Sequence, residues 1–187
     1  MIRSVENEVR AYWEEAPCGA KLSGAPAGSA AFFSETERER YRREPYVPVF
    51  ADFDRWRGKH VLEIGVGTGV DITRFARAGA HVSGVDQTET GAELTRKRLA
   101  AEGLSGDIRA ESGERLPFPD ASFDLVYSWG VIHHAESPEL VMAEAHRVLR
   151  PGGELRAMVY NRRSWFASRS GHVSWRDGSP PPRWQAL

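Results

Sequence analysis

The 187-residue chain holds a single cysteine, Cys18, so it can form neither an internal disulfide nor a multi-cysteine zinc site, which fits a reducing compartment. Long apolar runs are missing as well. No stretch of about 18 apolar residues is available to span a bilayer, and residues 1 to 30 lack the basic start and continuous apolar segment of a signal peptide. The expectation is a soluble, cytoplasmic protein with no membrane partner. Neither sign of charge is in excess: 25 Lys and Arg against 26 Asp and Glu leave a net charge of -1, which gives no whole-chain drive towards nucleic acid. His60, His81, His146 and His172 do not combine with His133 and His134 at metal-ligand spacing, so no metal is expected.

What is present is a chain with 41% hydrophobic residues, enough for one domain with a real core. Residues 4–15 carry Val5, Val9, Tyr12 and Trp13 at helical spacing, and the pattern stops before Pro17. A Gly, Ala and Ser-rich loop follows. A charged helical pattern then resumes from Ser34, interrupted by Pro45 and Pro48, so residues 1–58 read as a helical cap. From residue 59 the periodicity changes to alternating strands and helices, the pattern of a parallel sheet covered on both faces. The strands expected are 60–65, 81–86, 107–111, 123–129 and 154–160. Between them, helices are expected near Ile72, Phe75 and Ala76, over 88–102, and from Pro138 with Ser137 as cap and a Pro-Gly-Gly stop. Residues 161–187 are of a different kind, with five arginines, three consecutive prolines and Trp165, Phe166, Trp175 and Trp184.

The segment "VLEIGVGTG", residues 61–69, puts Gly65, Val66, Gly67 and Gly69 where the first strand turns into a helix, the place at which open parallel sheets bind ligands. A dinucleotide loop wants GxGxxG, and Val70 stands where its third glycine belongs. Glu63 brings negative charge to the same crevice, poor for a phosphate and good for an ammonium or sulfonium. Asp86, at the end of the second strand, is placed to accept both hydroxyls of a ribose.

Together with "VSGVDQ", "LPFPDASFDLVYSWGVIHH" and "RVLRPGGEL", this segment resembles the class I S-adenosylmethionine-dependent methyltransferases, and especially the methyltransferase type 11 group, over about residues 59–160. The resemblance implies a three-layer Rossmann-like α/β fold with parallel strand order 3-2-1-4-5. It also implies S-adenosyl-L-methionine as cofactor, with Glu63 and the glycine loop at its methionine half, Asp86 at the ribose, Gln87 along the adenine and the Ser128 backbone at the amino group. Ser112 stands where the family usually has an aspartate accepting from the adenine amino group; its hydroxyl, or the carboxylate of Glu111 or Glu114, is left to accept there, and the N–H of Gly113 or Glu114 to reach the ring. The family's adenine-methylating members carry an "NPPY"-like sequence after the fourth strand; "SWGVIHH" here points away from a nucleic-acid substrate.

Methyl transfer to a small molecule is the expected reaction, and positioning supplies most of its catalysis. For a hydroxyl acceptor, His133 and His134 are candidate bases near neutral pKa, with Tyr41 a further candidate. Tyr12, Tyr46 and Trp129 are candidate acceptor contacts, whereas Trp13 reads as packing. Two rival readings are a non-methylating use of the same cofactor, such as an intramolecular cyclisation, and a cofactor-binding protein without catalysis. Only 27 residues follow Tyr160, too few and too proline-rich for a further strand pair, so the fifth strand is expected to be an open edge. That edge points to a homodimer or to a chain that is part of a longer protein.

Overall fold

The computed structural model describes residues 5–15 and 17–160, so the expectations on Trp165, Phe166, Trp175, Trp184 and the rest of 161–187 lie outside the described residues. Five strands, β1 (His60–Ile64), β2 (His81–Asp86), β3 (Asp107–Ala110), β4 (Phe123–Trp129) and β5 (Leu149–Met158), form one parallel sheet in the order β3-β2-β1-β4-β5. This is the strand order expected from the sequence.

Alternation along β1 explains the layers. Val61 faces a core built with Ile72, Phe75, Val82, Leu125 and Tyr127, while Leu62 and Ile64 face a second core with Val85, Val126 and Val148. Both faces must therefore be covered. Helices α4 (Val70–Arg77), α5 (Glu89–Ala101) and α6 (Pro138–Val148) follow β1, β2 and β4, and α1 (Val5–Glu15), α2 (Ala30–Arg43) and α3 (Val47–Ala51) precede the sheet. Ala51, Phe53 and Trp56, which precede β1, enter the first core beside Phe75. Among the described residues no helix is long and apolar enough to cross a membrane.

Two boundaries and one capping bond differ from the sequence reading. Helix α2 begins at Ala30 because the Ser29 hydroxyl accepts from the Phe32 N–H at 3.1 Å, which lets Phe32 and Phe33 bury. Ser137 stands at the N-cap of α6, yet its side chain makes no capping bond; its backbone N–H donates to Glu114 Oε1 at 2.8 Å instead. Strand β5 starts at Leu149, straight after α6, and ends at Met158. The Pro-Gly-Gly run lies inside it as an irregularity, since Phe123 pairs with Leu149 and Leu125 already pairs with Glu154. Pro151 has no N–H to give the ladder and Gly152 has a φ of 80°, so the chain loops out there rather than stopping. Among the described residues β5 pairs only with β4, and is an edge.

Candidate active site

The carboxyl ends of β1, β2 and β4 meet where the strand order reverses, and the loop after β1 crosses that crevice. Gly65 has a φ of 85°, and a Cβ built on it would stand 2.2 Å from Val131 Cγ2, so no other residue fits. Gly69 is spent differently: its φ is 75° and its Cβ would meet Thr95 Oγ1 at 2.9 Å, so it allows α4 to pack on α5. The loop is tied to β2 by the Gly67 N–H, which donates to Asp86 Oδ2 at 2.9 Å. The other oxygen of Asp86 accepts from the Thr88 N–H at 3.0 Å and its hydroxyl at 2.6 Å.

Around this loop lies a cavity of about 360 Å³, within the range of small-molecule sites. Glu63, Gly65, Val66, Gly67, Asp86, Gln87, Ser112, Gly113 and Glu114 all line it. Gly69 and Ser128 are not in its wall; the Ser128 hydroxyl is buried and donates to the Ile64 carbonyl at 3.0 Å. Ser112 is partly engaged already, accepting from the Glu114 N–H at 3.2 Å. Glu63 is 4% exposed and its Oε2 has no hydrogen-bond partner. Burial, and then the charge of Asp71, holds its carboxyl well above the usual range, with Arg40 pulling the other way.

Of the acceptor candidates, Trp129 lines the cavity, with the Arg40 guanidinium 5.4 Å above its ring and Tyr46 at 5.8 Å. Tyr46 and Tyr12 are exposed and lie outside the wall. Trp13, read from sequence as packing, lines the cavity and meets His134 edge-on at 5.7 Å. Tyr41 is held elsewhere: its hydroxyl donates to Asp71 Oδ1 at 3.0 Å, and burial and Asp71 push its phenol up, so it stays protonated.

His134 lines the cavity and His133 stands behind it, their ring centroids 4.1 Å apart. The near-neutral pKa expected of them is not what the structure produces. Burial pushes both down to about 4, with His133 adding to the effect on His134, so both are neutral at pH 7. Since the ordinary value is 6.5, both states are neutral above that pH; as pH falls from 6.5 to about 4 the unfolded chain takes up protons that the folded chain refuses. We expect the melting temperature to fall across that window more steeply in the native chain than in a His133→Asn/His134→Asn variant. Superimposable pH profiles would refute the buried-neutral assignment.

Arg40 and Asp71 line the cavity too and were not singled out by sequence. Asp71 accepts from Arg40 Nη2 at 3.0 Å, from Tyr41 and from the Tyr127 hydroxyl at 3.1 Å, which pins α2 to the first turn of α4. In the sequence Arg40 sits in a charged run that looks like any solvated helix face.

A family model described as "Methyltransferase domain" matches residues 62–157. A ubiquinone biosynthesis O-methyltransferase of Brucella anthropi is 32% identical over 132 residues, covering 71% of this chain and 51% of that protein. The protein of the same description from Hahella chejuensis is 37% identical over 106 residues, 56% of this chain and 44% of that one. The chain thus spans about half the length of the curated relatives it matches. Among solved structures, the YcgJ protein of Bacillus subtilis superposes with a TM-score of 0.56 at 26% identity, over 60% of this chain and 49% of that chain. Geranyl diphosphate C-methyltransferase from Streptomyces coelicolor A3(2), at 16% identity, shares the fold with a TM-score of 0.68 over 89% of this chain and 71% of that one. A glycine loop under an acidic strand end, a carboxylate closing the second strand and a sheet ordered 3-2-1-4-5 are thereby accounted for together, since the chain belongs to the methyltransferase-domain family.

Proposed function

We propose that the chain binds S-adenosyl-L-methionine in this cavity and transfers its methyl group to a small-molecule acceptor. The observation that carries the reading is Glu63, a carboxyl buried in the cavity wall with one oxygen unpartnered, which fits the ammonium of an amino-acid ligand. Asp86 keeps room to accept one ribose hydroxyl, since Gly67 takes one lone pair of Oδ2 and Thr88 takes both of Oδ1. Gln87 lies along the adenine, whose edge falls to Ser112, Gly113 and Glu114, and Arg40 is the cation placed to meet the ligand's carboxylate. Ser128, outside the wall, is given no contact.

When bound, the cofactor would supply an electrophilic methyl carbon on a positive sulfur, within reach of an acceptor's lone pair. Trp13 and Trp129 shape the acceptor end and exclude water. His134, neutral and in the wall, is better placed than His133 to take a proton from a hydroxyl acceptor. Residues 59–160 carry the reaction, and 1–58 close over it through Trp13, Cys18 and Arg40.

Thermal denaturation with ligands tests this. S-adenosylmethionine and S-adenosylhomocysteine raise the melting temperature, by the equivalent of about 2.7 kcal/mol at a hundredfold excess over Kd, whereas NAD does not. A rise with NAD as large as with the other two would overturn the cofactor assignment. The same reading places the protein in the cytoplasm, with no nucleic acid as acceptor. Among the described residues β5 is an edge, which supports a homodimer in which a second copy covers it, checked by light scattering across a concentration series.

A further inference from the structure

Gly65, Gly67 and Gly69 all have positive φ, at 85°, 53° and 75°, and glycine gives up more conformational freedom on ordering than any other residue. A loop so built needs ties from outside. On the β2 side the Val85 carbonyl accepts from the N–H groups of Gly65 and Val66 at 2.8 and 3.2 Å, and Asp86 accepts from Gly67. Gly67 and Thr68 line the cavity, and among the described residues no backbone N–H donates to either of their carbonyls. Both carbonyls are met from α5, by side chains one helical turn apart. The Thr95 hydroxyl donates to the Gly67 carbonyl at 3.2 Å, and Arg98 Nη1 donates to the Thr68 carbonyl at 3.4 Å.

Thr95 and Arg98 are fully buried and stand outside the wall of this cavity. Arg98 is held there by Glu37 Oε2 and the Phe33 carbonyl, each 2.8 Å from Nη2, and by the Thr36 hydroxyl 3.1 Å from Nη1. Those three partners belong to α2, so one planar guanidinium fork grips α2 and the loop together. Resting on the methyl-donor reading above, we propose that Thr95 and Arg98 are positioning residues for that donor: from behind the loop they preset Gly67 and Thr68 in the shape the ligand meets. A tie that exists with and without ligand drops out of the affinity only if the loop keeps its shape when the tie is cut. Where the tie sets the shape, the cut loop visits other conformers, and the apparent Kd rises as the competent fraction falls.

The test is isothermal titration of the whole chain with S-adenosylhomocysteine, well below the melting temperature, so that only folded protein is read. Thr95→Val keeps the side chain's shape and removes the donor, Thr95→Ser keeps the hydroxyl, and Arg98→Lys keeps the charge beside Glu37 but loses the fork. Kd is expected to rise about fivefold in Thr95→Val and in Arg98→Lys, the size of one net hydrogen bond. Thr95→Ser should stay within about twofold of the native value, because the donor is still there. A merely structural role lowers the melting temperature and leaves Kd where it was. Native Kd in both Thr95→Val and Arg98→Lys therefore overturns the positioning role while leaving the methyl-donor reading intact, and Thr95→Val decides alone if Arg98→Lys does not fold. Failure of the native chain to bind overturns that reading and this inference with it.

Discussion

Replacing Asp71 by alanine is expected to cost about 3 kcal/mol of stability, the lower end for removing one partner of a buried ion pair. Its carboxylate accepts from Arg40, Tyr41 and Tyr127, and the Tyr127 ring is fully buried, so that hydroxyl has no water to turn to. Asp71→Asn keeps an acceptor oxygen but loses the charge, and should fall between the two. The check is the denaturant midpoint at unchanged m-value. A loss below about 1 kcal/mol would mean that the three donors find other partners and that α2 does not depend on this residue.

Gly65→Ala carries the second large effect, about 3 kcal/mol, from a left-handed backbone that L residues resist and from a methyl driven into Val131. The contact at 2.2 Å is with a β-branched side chain whose own Cβ is 2.9 Å away, so a rotamer change cannot relieve it. The turn after β4 must move, and that turn is part of the cavity wall. Calorimetry with and without S-adenosylhomocysteine separates the consequences: a lower melting temperature and a smaller ligand-induced rise. A variant with native melting temperature and native ligand response would show that the loop adapts and that Gly65 is not required.

The strands were legible because β1 and β4 are largely buried and read as mostly apolar runs that end at a glycine, while β2, with only Val82 and Val85 apolar, is marked by its position between Gly79 and Asp86. The glycine-loop side of the cavity followed from the same strand ends. What was not legible came from contacts distant in sequence. Arg40 is turned inward by Asp71, 31 positions later, and nothing in "ERERYRRE" distinguishes it from its solvated neighbours. Trp13 lines the cavity because Glu14 caps the start of α5, accepting from the Thr90 N–H at 2.9 Å, a tertiary contact that periodicity does not encode. The histidine pair was visible as a pair, but its neutrality comes mainly from burial, with His133 adding to the effect on His134, and neither is readable in the sequence. For β5, Pro-Gly-Gly is a sound helix-stop signal, and it misled because a loop-out within a strand uses the same residues.

The central position of β1 also sets a timetable for synthesis. Its first neighbour, β2, begins 21 positions after it, His60 pairing with His81, but its second does not arrive until Val61 can meet Leu125, 64 positions on. A nascent chain leaving the ribosome therefore presents an apolar strand with one bare edge until β4 has emerged. During that interval β1 and β2 are the segment most open to chaperones and to pairing with a neighbouring nascent chain. Slowing translation before residue 123 should then harm the yield of folded protein more than slowing it after residue 129.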